Sequence, residues 1–244
     1  MSAKFQRCVD IVLKHEGGFT EGRGDPGGTT NYGISLRYAR GQGSLFDLDG
    51  DGDVDRDDIL LVTPEKASIA YRDWFWRDVR GDELPPGVDL AIFDFAVNSG
   101  ASRAIRETQM ALGLQVDGVL GPVTMAAIKA TEPGTLIALI CRRRLAFLKR
   151  LSHWSRFGVG WERRVNDIET KALNMVGLPS TTAREAVQTG TVQGAGVAAT
   201  VATVATVASQ AEPVIQVLGG LAPWLAALII GAALIGIVVW RMKK

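Results

Sequence analysis

Two acidic clusters near the start of the chain have the residue types and spacing to do chemistry. Glu16 stands at the end of a short amphipathic stretch, residues 8–15 (CVDIVLKH), in which Val9, Val12 and Leu13 recur at i, i+3 and i+4. Gly17 and Gly18 end that helical pattern. A carboxyl there meets the negative end of the helix dipole in semi-buried surroundings, and both favour the protonated form that a general acid needs. Asp25 follows nine residues later in the glycine-rich run KHEGGFTEGRGDPGGTTNYGIS, residues 14–35. Such pliable backbone can reverse direction and bring two acids to one bond. Asp-Pro-Gly-Gly is equally good turn chemistry, so a purely structural role is the alternative for Asp25.

The second cluster, DLDGDGDVDRDD at 47–58, fits the twelve-residue calcium loop. Asp47, Asp49 and Asp51 occupy positions 1, 3 and 5, Gly52 the sharp turn at 6, Val54 the β-branched position 8, Asp55 position 9 and Asp58 position 12. With Asp53 the alternation supplies six carboxylates, and left uncompensated they repel one another. Aspartate in place of glutamate at the last position resembles dockerin-like loops more than signalling EF-hands. The expectation is one structural Ca2+ and no cofactor for the chemistry itself; a solvated acidic turn is the alternative.

The elements that position these groups are mainly helical. Thr63 caps and Pro64 opens a helix running through KASIAYRDWFWRDV. Residues 88–98 are apolar on nearly every side, and further helices are expected over 103–112, 124–130, 136–151 and 161–175. Only residues 30–35 alternate as a strand does, so the fold class is mainly α with a small irregular or β lobe. Tyr71, Trp74 and Trp76 have helical spacing and read as core. Cys8 and Cys141 read as reduced core thiols rather than a disulfide, since a body of this length needs no staple.

Charge divides the chain further. The total is +1 over 244 residues, but 47–58 alone holds seven Asp and one Arg, leaving the rest of the body mildly basic. The cluster Arg142, Arg143, Arg144, Lys149 and Arg150 either attracts an anionic polymer or forms a solvated helix face. No nucleic-acid motif accompanies it. Residues 179–213 are rich in Ala, Thr, Val, Gly and Gln and read as a flexible low-complexity linker. Residues 214–240 carry no charge and are long enough for a transmembrane helix, with Arg241, Lys243 and Lys244 placing its end in the cytoplasm. The N-terminus has no signal-peptide pattern, which conflicts with an outside body and fits a tail-anchored protein made in the cytosol.

Six blocks in chain order, HEGG, DPGGTTNYGIS, AYRDWFW, LPPGVDLAIFDFAVNSG, QMALGLQVDGVLGPVT and FGVGWERRV, resemble the glycoside hydrolase family 108 N-acetylmuramidases. These are phage endolysins and secretion-associated muramidases of lysozyme-like helical fold, and the resemblance covers about residues 5–176. It implies hydrolysis of the β-1,4 bond between N-acetylmuramic acid and N-acetylglucosamine in peptidoglycan, with Glu16 as the acid. It implies as well that Asp25 is the second catalytic or positioning carboxylate, because phage-type lysozymes space Glu and Asp similarly. Thr29, Thr30 and the Gly33-Ile34 pair supply the residue types that follow there, slightly out of step, so either threonine can hold the water. Tyr32 and Asn98 are candidate sugar contacts; Asn98 is alternatively a plain helix-end residue.

The organisation expected is a muramidase lobe at 1–87 with the calcium loop inserted, a peptidoglycan-binding-like helical lobe of the same body at 88–178, the linker and the anchor. The partners are peptidoglycan, the bacterial inner membrane and a holin, with the body acting in the periplasm. Two histidines, His15 and His153, and no Cys or His cluster leave a zinc-dependent wall enzyme without ligands. A lytic transglycosylase and a non-catalytic wall-binding or secretion helper are the rival readings.

Overall fold

The structure, a computed structural model, describes residues 1–21 and 28–179. Asp25, the linker beyond Pro179 and the expected membrane span at 214–240 lie outside the described residues. Among the described residues no single helix is long and apolar enough to cross a membrane.

Helix α1 spans Ala3–Glu16, longer at its start than the apolar spacing alone predicts, because Ser2 caps it by accepting from the Phe5 amide. Phe5, Cys8, Val9, Val12 and Leu13 form its buried stripe, and Gly17 stops it at φ +79°. The expected strand at 30–35 is a minimal hairpin, β1 (Thr30–Asn31) paired antiparallel with β2 (Ile34–Ser35). Its two turn residues, Tyr32 and Gly33, both take positive φ, as a tight two-residue hairpin of the primed type requires. Ser35 then caps α2 (Leu36–Gly41).

Helix α3 (Arg56–Leu61) was not expected as a separate element. The last positions of the acidic loop are also its first turn: Asp55 is the N-cap, and Asp58 closes a capping box by accepting from the Asp55 amide. Helix α4 (Pro64–Tyr71) follows the Thr63 cap and Pro64 as predicted, then widens into a π turn over Arg72–Trp76. Tyr71 and Trp76 are buried, while Trp74 is only partly so.

Helix α5 (Val88–Ser99) is the central rod, in contact with α1, with α6 (Ala101–Ala111), with α8 (Pro133–Lys149) and with α9 (Trp154–Asn174). The shorter α7 (Pro122–Ala130) joins α6 to α8. Both α8 and α9 begin earlier than expected. Glu132 caps α8 by accepting from the Gly134 and Thr135 amides, although glutamate is not a favoured capping residue. The first two turns of α9 mix glycine with exposed residues and so hide their helical period. Cys8 and Cys141 are both buried and are not joined in a disulfide.

Candidate active site

Glu16 is the last residue of α1, and its side chain is 21% exposed, so it is open to solvent from a largely covered position. The semi-buried setting at a helix end is the expected one; what the sequence does not reveal is that Oε1 accepts from the Arg164 guanidinium of α9 at 2.7 Å. Arg164 in turn donates through Nη2 and Nε to both oxygens of Asp94 on α5, at 2.7 to 3.2 Å. Arg144 of α8 donates to the same Asp94 carboxylate, at Oδ2. Asp94 and Arg144 are almost completely buried.

This chain of alternating charge makes physical sense only as a unit. Burial alone would raise the Asp94 carboxyl, but the charges of Arg144 and Arg164 reverse that and hold it below the usual carboxylate range. Arg164 is displaced upward despite burial, by Asp94 first and Glu16 second. Asp94 is therefore a fixed anion that orients Arg164, and Arg164 orients Glu16. Being enclosed, Asp94 cannot itself meet a polymer. One turn further along α5, on the same face, stands the half-buried Asn98, whose Oδ1 accepts from Ser99.

A second tie fixes the end of α1. The His15 imidazole lies 2.7 Å from Asp167, which also pairs with Lys171. Burial would raise Asp167, but Lys171 and His15 hold it below its ordinary value. Residues 164 and 167 of α9 are three apart and so share a face. One helix thus grips two consecutive residues of another.

The hairpin closes the other side of Glu16. A Cβ added to Gly33 would stand 3.5 Å from Glu16 Oε2 and 2.0 Å from the Tyr71 hydroxyl, so only glycine lets the turn approach this closely. Tyr71 is pushed well above the usual phenol range, chiefly by burial and then by the charge of Glu16. Thr30 is engaged in backbone pairing with Thr20 on one side and Ser35 on the other, and its hydroxyl donates to Gly28. The carbonyl of Thr29 accepts from Leu36. Tyr32 is half-buried at the turn itself. The turn that carries Tyr32 is thus beside Glu16, whereas Asp25 lies outside the described residues.

Behind the hairpin is the acidic loop. Asn31, buried, donates to the carbonyls of Ile59 and Val62 and so ties β1 to the end of α3. Carboxylate oxygens of Asp47, Asp49 and Asp58 lie within 4.8 Å of one another, and those of Asp53, Asp55 and Asp58 do likewise. Oxygens this close can share one Ca2+ at its usual ~2.4 Å radius, with Asp58 common to both groups. Asp51 belongs to neither group. Asp53 is raised first by the charge of Asp51, with Asp55 and Asp58 adding to it. Burial would raise Asp58 too, but the amides of Asp55, Leu48 and Asp49 donate to it and bring it below the usual range.

Sequence reasoning missed Asp94, Arg144 and Arg164. Arg144 was grouped with a surface cluster, yet it is buried against Asp94, and Arg143 pairs with Glu107, which is itself buried. The signal available was Asp94 itself, a lone acid in the apolar run LAIFDFAV, which demands a buried cation. Nothing local identified Arg164 as the partner.

The profile of the glycosyl hydrolase 108 family matches residues 9–100, and that of a peptidoglycan binding domain matches residues 98–128. Among solved structures, SagA of Brucella abortus is 38% identical, covers 70% of this chain and 94% of its own, and superposes with a TM-score of 0.58. No curated protein sequence matches.

Proposed function

The chain belongs to the glycosyl hydrolase 108 family and is a glycoside hydrolase of peptidoglycan, and on that premise we propose that it is an N-acetylmuramidase with Glu16 as its general acid. The observation that carries this is the position of one carboxyl: Arg164 fixes Oε1, and Oε2 faces the hairpin turn on a side chain that is partly exposed. Cleavage of a glycosidic bond needs a proton delivered to the leaving oxygen and a second group that activates water or shields the oxocarbenium charge. Glu16 Oε2 supplies the first. Asp25, with Thr29 or Thr30 holding the water, supplies the second; Tyr32 and Asn98 contact the sugars.

The calcium loop serves this site indirectly. An ion held by Asp47, Asp49, Asp53, Asp55 and Asp58 fixes α3, and through Asn31 the hairpin whose turn meets Glu16. It takes no part in the bond cleavage. The tail of the chain supports deployment as a membrane-anchored endolysin. Residues 214–240 hold the protein at the inner membrane and a holin admits the body to the periplasm; protease protection of spheroplasts tests that topology.

Glu16→Gln tests the assignment of the acid. It keeps the shape and loses the proton, so clearance of purified cell wall falls by a factor of about 10²–10⁴. A variant as fast as the parent sinks the assignment. Mass spectrometry of the digest reads the reaction type: reducing-end muramic acid supports hydrolysis, and 1,6-anhydro ends assign a transglycosylase instead.

A further inference from the structure

Peptidoglycan strands are linear, so a site that cuts within one must seat sugars beyond the bond it breaks. Helix α9 offers a surface for them. Trp161, Gly160 and Phe157 precede Arg164 by three, four and seven residues, which puts all of them on the side of the helix that faces Glu16. At 1.5 Å per residue, Trp161 lies roughly 4 Å and Phe157 roughly 10 Å along the axis from Arg164.

Phe157 is 43% exposed, and its ring lies 5.7 Å from that of Trp161, with the planes tilted by 32°. Arg156 stands 4.9 Å from the same ring and adds donors for sugar oxygens. An exposed aromatic alone is ordinary. The adjoining glycines make this one informative. A Cβ on Gly158 would stand 2.6 Å from the Trp154 indole, so the packing of Trp154 requires that glycine. A Cβ on Gly160 would meet nothing within 4 Å. Glycine in a helix interior is destabilising relative to alanine, and no contact among the described residues accounts for this one. Its effect is to keep the surface flush between an apolar ring and the guanidinium that holds Glu16.

We propose that Phe157, Gly160 and Trp161 form a sugar subsite, in which a pyranose of the glycan strand lies against the bare helix at Gly160 with its C–H face on Phe157. The subsite is continuous with the bond-breaking site and rests on the reading of Glu16 as a glycosidase acid.

The test is a binding titration with the full-length chain carrying Glu16→Gln, so that the ligand is not consumed. The probe is uncrosslinked glycan strands stripped of peptide. Adding Phe157→Ala weakens binding about tenfold, and Phe157→Trp restores it. Gly160→Leu weakens binding by a similar factor while the melting temperature holds or rises, which separates obstruction from unfolding. Affinities within about twofold of the parent for both variants, with normal melting, overturn the subsite. So does a result in which Phe157→Ala spares glycan binding and abolishes binding to phosphatidylglycerol vesicles, which would make the face a membrane surface. Failure of the Glu16 reading is distinguishable, because it is read on turnover: a Glu16→Gln chain that still clears walls sinks the acid and leaves the titration interpretable.

Discussion

Glu16 lies between two regions built on different principles. On the hairpin and loop side, the backbone is shaped mainly by contacts between near neighbours, the capping box of Asp55 and Asp58, the Asp47 carboxylate accepting from Gly50 and Gly52, the turn at Tyr32 and Gly33, with Asn31 as the longer tie to α3. On the helical side the contacts join distant residues, with Arg164 reaching back 148 positions to Glu16 and 70 to Asp94, and Arg144 reaching back 50. The difference separates two jobs. Turn chemistry shapes a backbone that can approach the carboxyl, whereas buried charge decides which way the carboxyl points.

The comparison breaks most readily at Asp94. Asp94→Ala leaves the buried Arg144 without its anion and Arg164 with Glu16 alone, a loss of about 3–5 kcal/mol. A fall in melting temperature of roughly 10 °C follows at this chain length. The pH dependence has a fixed sign. Asp94 is held below its unfolded value, so its stabilisation is present above about pH 4 and is lost as pH falls through the depressed folded value. Thermal melts of Asp94→Asn and parent should therefore differ from neutral pH down to that point and converge only in stronger acid. A constant difference at all pH values would remove the ion-pair explanation.

On the hairpin side the corresponding break is Gly33→Ala. The new methyl would overlap the Tyr71 hydroxyl, at a φ of +74° that already disfavours any side chain. A cost of about 2–3 kcal/mol is expected, with wall clearance reduced because the turn is forced away from Glu16. Adding Tyr71→Phe removes the hydroxyl and leaves the ring carbon at 3.2 Å, so the double variant recovers part of the loss. Simple additivity of the two single variants in denaturant melts would show that this contact does not set the approach.

The same contrast explains what was legible. Turn and cap residues act on their own neighbours, so the end of α1 at Gly17, the cap at Thr63 and the acidic alternation at 47–58 could all be read from residue types, and extended backbone at 30–35 could be read without the turn that splits it into a hairpin. Helices that open on unusual caps could be placed but not bounded, as at Glu132. Charges that meet only after folding left no local trace. Arg144 and its exposed neighbour Arg142 look identical in a basic run, and only the packing of α8 on α5 makes one a structural cation. Glu16 stands at a semi-buried helix end, which its neighbours in sequence reveal, but the guanidinium that holds it comes from 148 residues away and leaves no mark beside it.

Calcium sharpens the comparison, since it acts on the locally built side alone. Saturating ion at a hundredfold excess over its dissociation constant adds about 2.7 kcal/mol. Melting should rise by roughly 5–10 °C over a chelated sample. Asp58→Asn, which touches both groups of carboxylates, should abolish the shift. Equal melting with calcium and with chelator would remove the ion. If instead the ion raises stability in the parent and in Asn31→Ala alike, but raises wall clearance only in the parent, then the loop reaches the site through Asn31.

The smallest effect concerns the second grip of α9 on α1. Asp167 is about a third exposed at 36%, so solvent screens its pairing with His15 and Lys171, and Asp167→Asn should cost less than about 1 kcal/mol. That corresponds to a shift of roughly 2–4 °C at most. Because Asp167 is held below its ordinary value, the difference should be present near neutral pH and fade as pH drops below about 4. Its interest lies in activity rather than stability. If the tie at residue 15 helps aim residue 16, Asp167→Asn lowers the turnover rate on cell wall more than its small melting shift accounts for. If turnover is unchanged, Arg164 alone aims Glu16, and the helical side of the site reduces to the single chain that ends at Asp94.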